Sequence, residues 1–195
     1  MHSLTSSFVL GYHGCDTAAA KRVLAGQQFI PSTNEYDWLG HGVYFWEANP
    51  QRGLDYAREM LARRRGARGA VRPQVVGAII EMRLCLDLTT ATGLDQVKMA
   101  YQSLYASAGT AGFGTMPSNN RDGLRRNLDC AVINTLHDIR EDSFLPPVDT
   151  VKGAFIEGPP IYEAASFHEK THIQICVRNP DCIKGVFRVP RSALR

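Results

Sequence analysis

The sequence predicts an α+β fold, and three observations indicate it. Residues 75–88 are rich in β-branched and aliphatic side chains, as a central strand is. Polar and apolar side chains alternate over residues 170–177, which is typical of a strand with two different faces. Apolar residues recur every three or four positions between residues 125 and 140, which predicts a helix.

The composition is that of one compact domain. The chain has 195 residues, of which 44% are hydrophobic, so we expect a single domain over residues 1–195. Its five cysteines are odd in number and scattered, which argues against a disulfide framework and for a reducing, cytoplasmic location. The sequence has no spaced Cys/His zinc pattern and no apolar run near the roughly 20 residues that cross a bilayer. We therefore expect neither a bound metal nor a membrane partner.

The N-terminal segment is predicted to be a strand followed by a helix. Residues 1–14 lack the charged start and the cleavage site of a secretory signal, and their apolar run reads as the first strand. Asp16 or Thr17 can cap a helix that continues to about Ala25. Gly26 then ends this helix.

The rest of the scaffold follows from local signals. Residues 27–41 carry Pro, Ser, Asn and Asp and predict a loop, which we expect to lie over the ligand slot described below. The pair Asn49-Pro50, a cap followed by proline at the first helical position, predicts a helix to about Arg65. We expect a further helix at residues 94–108, loops at residues 109–120 and 153–167, and a last strand at residues 183–189.

Arginines cluster in residues 58–68 beside a single acid, although the net charge of the chain is only +3. In a solvated helix end, such cations oppose the negative end of the macrodipole. The same charges would also suit the phosphates of a nucleic acid or another anionic partner. The sequence leaves both interpretations open.

Two glycine-bearing segments in the first quarter of the chain indicate a ligand slot. Tyr12-His13-Gly14 lies one helix-sized interval before residues 40–45, which read Gly-His-Gly-Val-Tyr-Phe. Glycine lets the backbone approach a ligand closely, so its own N–H and C=O groups can form hydrogen bonds. Tyr44 would supply a stacking face and His13 a polar contact. The slot suits a flat heteroaromatic ring, and nicotinamide is the ring we favour.

Residues 10–57 resemble the front half of the catalytic domain in the poly(ADP-ribose) polymerase and diphtheria-toxin group of ADP-ribosyltransferases. The order of features is the same: a strand ending in His-Gly, a short helix, an extended loop, a Gly-x-Gly-Val-Tyr-Phe strand and a helix with a second tyrosine. The resemblance implies an ADP-ribosyltransferase-like fold, with two packed, mainly antiparallel sheets that form an NAD cleft and are flanked by helices. NAD would be the co-substrate.

The resemblance also implies the residues of the site. His13 and Tyr44 match the first two members of the group's His-Tyr-Glu signature. Gly14 matches the residue whose backbone holds the nicotinamide carboxamide, and Gly42 belongs to the Gly-x-Gly strand beside it. Tyr56 matches the second stacking tyrosine.

Two positions depart from the pattern of the group. Gly53 stands where many relatives have a serine that contacts the carboxamide, and the signature glutamate falls on His172. Strand alternation places Gln174 on the same face as His172, so either residue is a candidate for the third catalytic role. An acidic residue lent by the preceding loop, Glu163 or Glu169, is a further candidate.

Each of these side chains also has a purely structural interpretation. His13 would be a buried histidine with satisfied hydrogen bonds, and the two tyrosines would be ordinary core aromatics. His172 and Gln174 would pair with each other or with the loop, since unpaired polar groups in a core are costly. Cys15 adjoins His13, but neighbouring strand residues point apart, which favours a buried thiol over a nucleophile.

The resemblance implies a mono-ADP-ribosyltransferase that cleaves NAD and transfers ADP-ribose to a protein or nucleic acid. Members without the third glutamate resemble such enzymes more than chain-building polymerases, and the Glu-x-Glu motif of arginine-modifying enzymes is absent here. Free-standing domains of this kind include bacterial toxins, effectors and defence enzymes, for which an antitoxin or inhibitor would be a partner. An NAD glycohydrolase and a catalytically silent module that binds NAD or ADP-ribose are the alternatives.

Overall fold

A computed structural model describes residues 3–63, 71–108, 116–120 and 125–195. In this part of the chain there are six strands: β1 (Ser3–Asp16), β2 (Val43–Glu47), β3 (Pro73–Asp87), β4 (Thr150–Phe155), β5 (His172–Val177) and β6 (Ile183–Arg188). The described helices are α1 (Thr17–Leu24), α2 (Pro50–Arg63), α3 (Ala91–Ala108) and α4 (Asn127–Asp142). Short 3-10 turns lie at Pro180–Cys182 and Arg191–Ala193.

Hydrogen bonds join the described strands into one mixed sheet with the order β1-β2-β5-β4-β3-β6. β3 also pairs with β1, so the strands β1, β2, β5, β4 and β3 form a closed ring to which β6 is attached. Every ladder among these strands is antiparallel except that between β3 and β4. The closure depends on the long ladder between β1 and β3, which extends from the pair of Ser3 with Cys85 to the pair of Asp16 with Pro73.

The ladder between β1 and β2 is short. It pairs Gly11 with Glu47 and Tyr12 with Trp46. β1 stays paired with β3 as far as Asp16. Beyond Tyr12, therefore, β1 and β2 separate, while β1 stays paired with β3 and β2 with β5. The site described below lies at this separation.

Side-chain caps fix the starts of the first two helices. Asp16 accepts a hydrogen bond from the backbone N–H of Ala19 at 2.8 Å, so α1 begins where β1 ends. Asn49 accepts one from the backbone N–H of Arg52 at 3.0 Å, directly before Pro50. Both helix starts predicted from the sequence are confirmed.

Two apolar clusters cover the two sides of the sheet, and β5 contributes to both. Cys176 packs in a cluster with residues of α3 and α4, whereas Ile175 and Val177 pack with residues of β2 and β3. Phe45 of β2 is fully buried in this second cluster, together with Ile80 of β3. The alternation predicted for the late strand thus separates two cores.

The α+β class and the predicted order of strands and helices are confirmed, with two differences. Hydrogen bonds connect the described strands through β1 and β3 into a single sheet, where the resemblance implies two separate ones. The sequence predicts a loop from Gly153, whereas β4 continues to Phe155. Gly153 is needed for packing, because a Cβ there would lie 2.8 Å from the ring of Trp38.

Some features lie outside the described residues or are absent from them. Residues 64–70, which hold most of the arginine cluster, and residues 109–115 of the predicted loop are not described. None of the described helices is both long enough and apolar enough to span a membrane. Within the described ranges, no group of three or more His, Cys, Asp and Glu side chains is arranged to hold a metal ion.

The burial of Phe45 can be tested by substitution. We expect Phe45→Ala to lower the free energy of unfolding by about 3–5 kcal/mol, because it leaves a cavity in the core. Phe144→Ala is the matched control, since the Phe144 ring is 97% exposed, and we expect it to change stability by no more than about 0.5 kcal/mol. Equal shifts of the denaturation midpoint in the two variants would contradict the described core.

Candidate functional site

A cavity of about 220 Å³ lies where β1 and β2 separate, and residues of α2, β5 and the loop before β2 complete its walls. We call it the central cavity. Six residues predicted from the sequence line it: His13, Gly14, Gly42, Tyr44, Tyr56 and Gln174. His172 is not among its described lining residues. The fold therefore brings most of the predicted site together from distant parts of the chain.

His13 bridges the split between β1 and β2. Its Nδ1 lies 2.8 Å from the backbone carbonyl oxygen of Tyr44, and because a carbonyl only accepts, Nδ1 donates. The imidazole packs edge-on against Phe29 at 5.1 Å and lies 5.6 Å from the ring of Phe45. Burial lowers the pKa of His13 although the hydrogen bond to Tyr44 opposes this. The neutral form is favoured, and its Nε2 is a hydrogen-bond acceptor.

Tyr44 uses its hydroxyl group to fix the turn that precedes β2. The hydroxyl donates to the carbonyl oxygen of Gly40 at 2.8 Å and accepts from the backbone N–H of Leu39 at 2.9 Å. Burial raises the pKa of the Tyr44 phenol well above its ordinary value, so the group stays neutral. Because both hydrogen bonds of the hydroxyl go to the protein backbone, the ring is the part of Tyr44 that can contact a ligand in the central cavity.

The closely packed ring pair at the cavity consists of Trp46 and Tyr56. Their centroids are 4.8 Å apart and their planes are inclined by 43°. Both residues line the central cavity. Sequence reasoning missed Trp46, although strand alternation was a usable signal: it places Trp46 on the same face of β2 as Tyr44.

Gly14 and Gly42 are required by the packing of the cavity walls. A Cβ at Gly14 would lie 2.0 Å from the carbonyl oxygen of Gly53 in α2. A Cβ at Gly42 would lie 2.5 Å from the sulfur of Cys176 in β5. Both contacts are too close for any side chain, so these glycines hold α2 against β1 and the start of β2 against β5.

The two candidates on β5 have different surroundings. Gln174 lines the central cavity, and its Oε1 accepts a hydrogen bond from Nε1 of Trp38 at 2.6 Å. His172 is buried, with its ring centroid 5.4 Å from that of Phe155. Its Nδ1 donates to the carbonyl oxygen of Lys170, and its Nε2 has no partner among the described residues. Burial lowers the pKa of His172, which keeps the ring neutral.

An ionic cluster lies at one side of the central cavity. Arg52 donates from Nη2 to Glu157 at 2.9 Å, and its Nη1 lies 3.6 Å from Glu59. Lys170 pairs with Glu59 at 3.0 Å and lies 3.9 Å from Glu157. Two cations therefore face two carboxylates, and Arg52 itself is only 7% exposed. Sequence reasoning missed this cluster, because its members come from α2 and from the loop after β4.

Glu157 is the loop carboxylate that reaches the central cavity. The sequence suggests Glu163 and Glu169 for this position, but both are exposed and neither is among the described lining residues. The carbonyl oxygen of Glu157 accepts a hydrogen bond from the backbone N–H of Lys170 at 3.0 Å, which extends the pairing of β4 with β5. The unpredicted strand β4 is thus what carries a glutamate to the cavity.

The charged residues that line the central cavity are two arginines and three acids: Arg52, Arg63, Asp37, Glu59 and Glu157. Burial raises the pKa of Asp37, although hydrogen bonds to its carboxylate oppose the rise. With all five groups ionised, the lining carries one excess negative charge, which Lys170 offsets through its ion pairs with Glu59 and Glu157. The charges at the cavity are therefore balanced, so an anionic ligand would meet no unmatched cation.

Several buried polar atoms of the lining have no hydrogen-bond partner among the described residues. They are Nε and Nη1 of Arg52, Nε1 of Trp46 and Oδ2 of Asp37. Unpaired buried polar groups are rare in folded proteins, because each costs about 1–3 kcal/mol. Four such atoms thus belong to residues that line the central cavity.

Comparison with known proteins finds a distant relative. The chain is 26% identical to the uncharacterized protein MJ0359 of Methanocaldococcus jannaschii over 192 residues, which cover 89% of this chain and 83% of that protein. No known protein family matches the chain, and no solved structure matches it significantly. The function proposed below is therefore inferred from the geometry of the central cavity.

The lowered pKa values of His13 and His172 predict a pH-dependent stability. The unfolded histidines titrate near pH 6.5, whereas the folded ones titrate lower. Between these values the unfolded state binds more protons, so the free energy of unfolding should fall as the pH falls through about 6.5. Denaturant titrations at pH 7.5 and pH 5.5 would measure the loss, and His13→Gln and His172→Gln should each reduce it. An unchanged loss in the double variant would contradict the described burial.

Proposed function

We propose that this chain is a mono-ADP-ribosyltransferase that cleaves NAD and transfers ADP-ribose to a macromolecular acceptor. The observation that carries the proposal is the lining of one cavity by His13, Gly14, Tyr44, Tyr56 and Gln174. The sequence and its resemblance to ADP-ribosyltransferases predict a nicotinamide slot at the first four of these residues and make Gln174 a candidate for the third catalytic role. They come from β1, β2, α2 and β5, so their convergence is a property of the fold that local sequence does not require.

The dimensions and aromatic faces of the central cavity suit the pyridinium half of NAD. At about 220 Å³ the cavity is smaller than the roughly 300–1,000 Å³ of sites that enclose a drug-sized ligand, so it would take one ring rather than a whole dinucleotide. The rings of Trp46 and Tyr56 provide aromatic faces that attract a flat cation.

To catalyse the transfer of ADP-ribose from NAD, the site mainly has to position the substrate and stabilise charge in the transition state. When the bond between ribose C1′ and the pyridine nitrogen breaks, its electron pair stays with the nitrogen and nicotinamide leaves uncharged. The ribose becomes a cation that resembles an oxocarbenium ion. The acceptor nucleophile then bonds to C1′ and loses its proton to a nearby base.

Two groups of the chain suit these steps. Neutral His13 offers Nε2 as an acceptor for a ribose hydroxyl, since its Nδ1 is already bonded to Tyr44. Glu157 offers a carboxylate that can stabilise the developing cation and take the proton of the acceptor. We therefore assign to Glu157 the role that the carboxylate at the position of His172 plays in the group that the chain resembles. Gln174 would contribute hydrogen bonds without charge.

The surface next to the cavity favours a macromolecular acceptor over water. The segment from Glu157 to Lys170 is a hairpin-like loop closed by a backbone hydrogen bond between these two residues. Large apolar side chains on this segment are solvent-exposed: Ile161, Tyr162 and Phe167 are 53%, 59% and 65% exposed. A contiguous exposed apolar patch is typical of a surface that contacts another molecule, and these side chains are the candidates for such a patch.

A catalytically silent NAD-binding module is the second candidate, and the ion pair of Arg52 with Glu157 favours it. A cation 2.9 Å from the carboxylate offsets the negative charge that would stabilise the transition state. The position of the signature glutamate is moreover filled by the buried His172. Such a module would bind NAD and release no nicotinamide.

Incubation of the purified chain with adenylate-labelled NAD and a cell extract tests the proposed activity. We expect nicotinamide release together with label on a macromolecule, whose sensitivity to protease or nuclease identifies the acceptor class. Label found only in free ADP-ribose would identify an NAD glycohydrolase instead. Binding of NAD without nicotinamide release would identify the silent module, and neither binding nor turnover would refute the proposal.

His13→Ala and Tyr56→Ala test the assignment of the site. We expect each to lower NAD turnover by about a hundredfold or more, because each removes a group that positions the reacting half of the substrate. Tyr105→Ala is the control, since Tyr105 lies on α3 and is 63% exposed. Turnover that persists in a folded His13→Ala protein would exclude the proposed site.

A further inference from the structure

Arg52 is the most unusual side chain at the central cavity. It is 7% exposed, yet Nε and Nη1 have no hydrogen-bond partner among the described residues. Its Nη2 donates a hydrogen bond to the carboxylate of Glu157 at 2.9 Å. A guanidinium group has five N–H donors, so Arg52 has several donors left for a ligand that enters the cavity.

The surroundings of Arg52 place these donors beside the aromatic faces. The guanidinium carbon lies 5.8 Å from the centroid of the Trp46 ring, and Tyr56 packs on the same indole at 4.8 Å. The indole Nε1 of Trp46 is buried without a described partner as well. A flat ring bound near these aromatics would therefore lie close to unpaired donors, and an acceptor atom on that ring could pair with them.

The charge balance specifies which acceptor fits. Glu157 and Glu59 already face the guanidinium group at 2.9 and 3.6 Å, and Lys170 is shared between the same two carboxylates. An anionic ligand group would add a third negative charge to a cluster whose cations are already matched. A neutral carbonyl oxygen accepts N–H hydrogen bonds at no such cost.

We propose that Arg52 determines the specificity of the site, by donating to the neutral carboxamide oxygen of the pyridine ring while Glu59 and Glu157 exclude a ring that carries a carboxylate. The inference rests on the proposed function for the identity of the dinucleotide. It adds that the chain discriminates NAD from nicotinic acid adenine dinucleotide, which differs only in carrying a carboxylate in place of the carboxamide. The discrimination combines an attractive contact with a repulsive one.

The test is a comparison of the dissociation constants of NAD and nicotinic acid adenine dinucleotide for the intact chain and three variants. We expect the wild-type chain to bind NAD at least about tenfold more tightly than the acid. Arg52→Gln should weaken NAD binding by about tenfold or more, because the donated hydrogen bonds are lost. Arg58→Gln is the matched control, since Arg58 lies on the same helix and its side chain is 50% exposed, and it should change neither constant.

Glu59→Gln separates the inference from a merely structural role of the ion cluster. It removes one negative charge and keeps the size of a side chain that is 27% exposed. We expect it to reduce the preference for NAD, because binding of the acid strengthens relative to binding of NAD. This variant decides the question if Arg52→Gln fails to fold.

The outcomes distinguish the inference from the proposed function. If the wild-type chain binds NAD and the acid equally, or if Glu59→Gln leaves the preference unchanged, the role of Arg52 and its acids in specificity is refuted while the proposed function stands. If the wild-type chain binds neither dinucleotide, the proposed function is refuted and the inference with it.

Discussion

The central cavity depends on the interruption of the β1–β2 ladder after Tyr12 and Trp46. One step further along, Nδ1 of His13 donates to the carbonyl oxygen of Tyr44, a group that backbone pairing would use in a continuous ladder. The His13 side chain thus provides the hydrogen bond that the Tyr44 carbonyl needs, although β1 and β2 are not paired at this point. One hydrogen bond therefore opens the ring of strands locally while β3 and β5 keep the other edges of β1 and β2 paired.

The elements around this split supply the chemistry. Gly14 lets α2 approach β1 so closely that the Gly53 carbonyl would collide with any Cβ, and the approach brings Arg52 and Tyr56 of α2 to the cavity. The pairing of β4 with β5 brings Glu157 to the same place. The resulting site combines aromatic faces, a neutral histidine and a nearly balanced set of charges. We propose that these groups hold the pyridinium half of NAD and stabilise the ribose cation that forms when neutral nicotinamide leaves.

The sequence indicated the parts of this site that have a local signal. The glycine-bearing segments, the tyrosine of α2 and the alternation along β5 led to six lining residues, including Gln174. Arg52 and Glu157 have no such signal, because a charged residue on a helix or in a loop usually faces solvent. Strand β4 was missed because Gly153 resembles a turn signal, although its role is to make room for Trp38. His172 occupied the expected strand, but its burial is set by packing against Phe155, which sequence spacing does not reveal.

The indole N–H signals of the chain offer the most direct test of the central claim, that this cavity is a dinucleotide site. The chain has two tryptophans, Trp38 and Trp46, and both line the cavity. In a ¹H–¹⁵N titration with NAD, the account predicts that both signals shift with the same saturable dependence, and that the signal of Trp46 shifts further because its Nε1 has no described partner. Two indole signals that stay unmoved at saturating concentrations of NAD would contradict it.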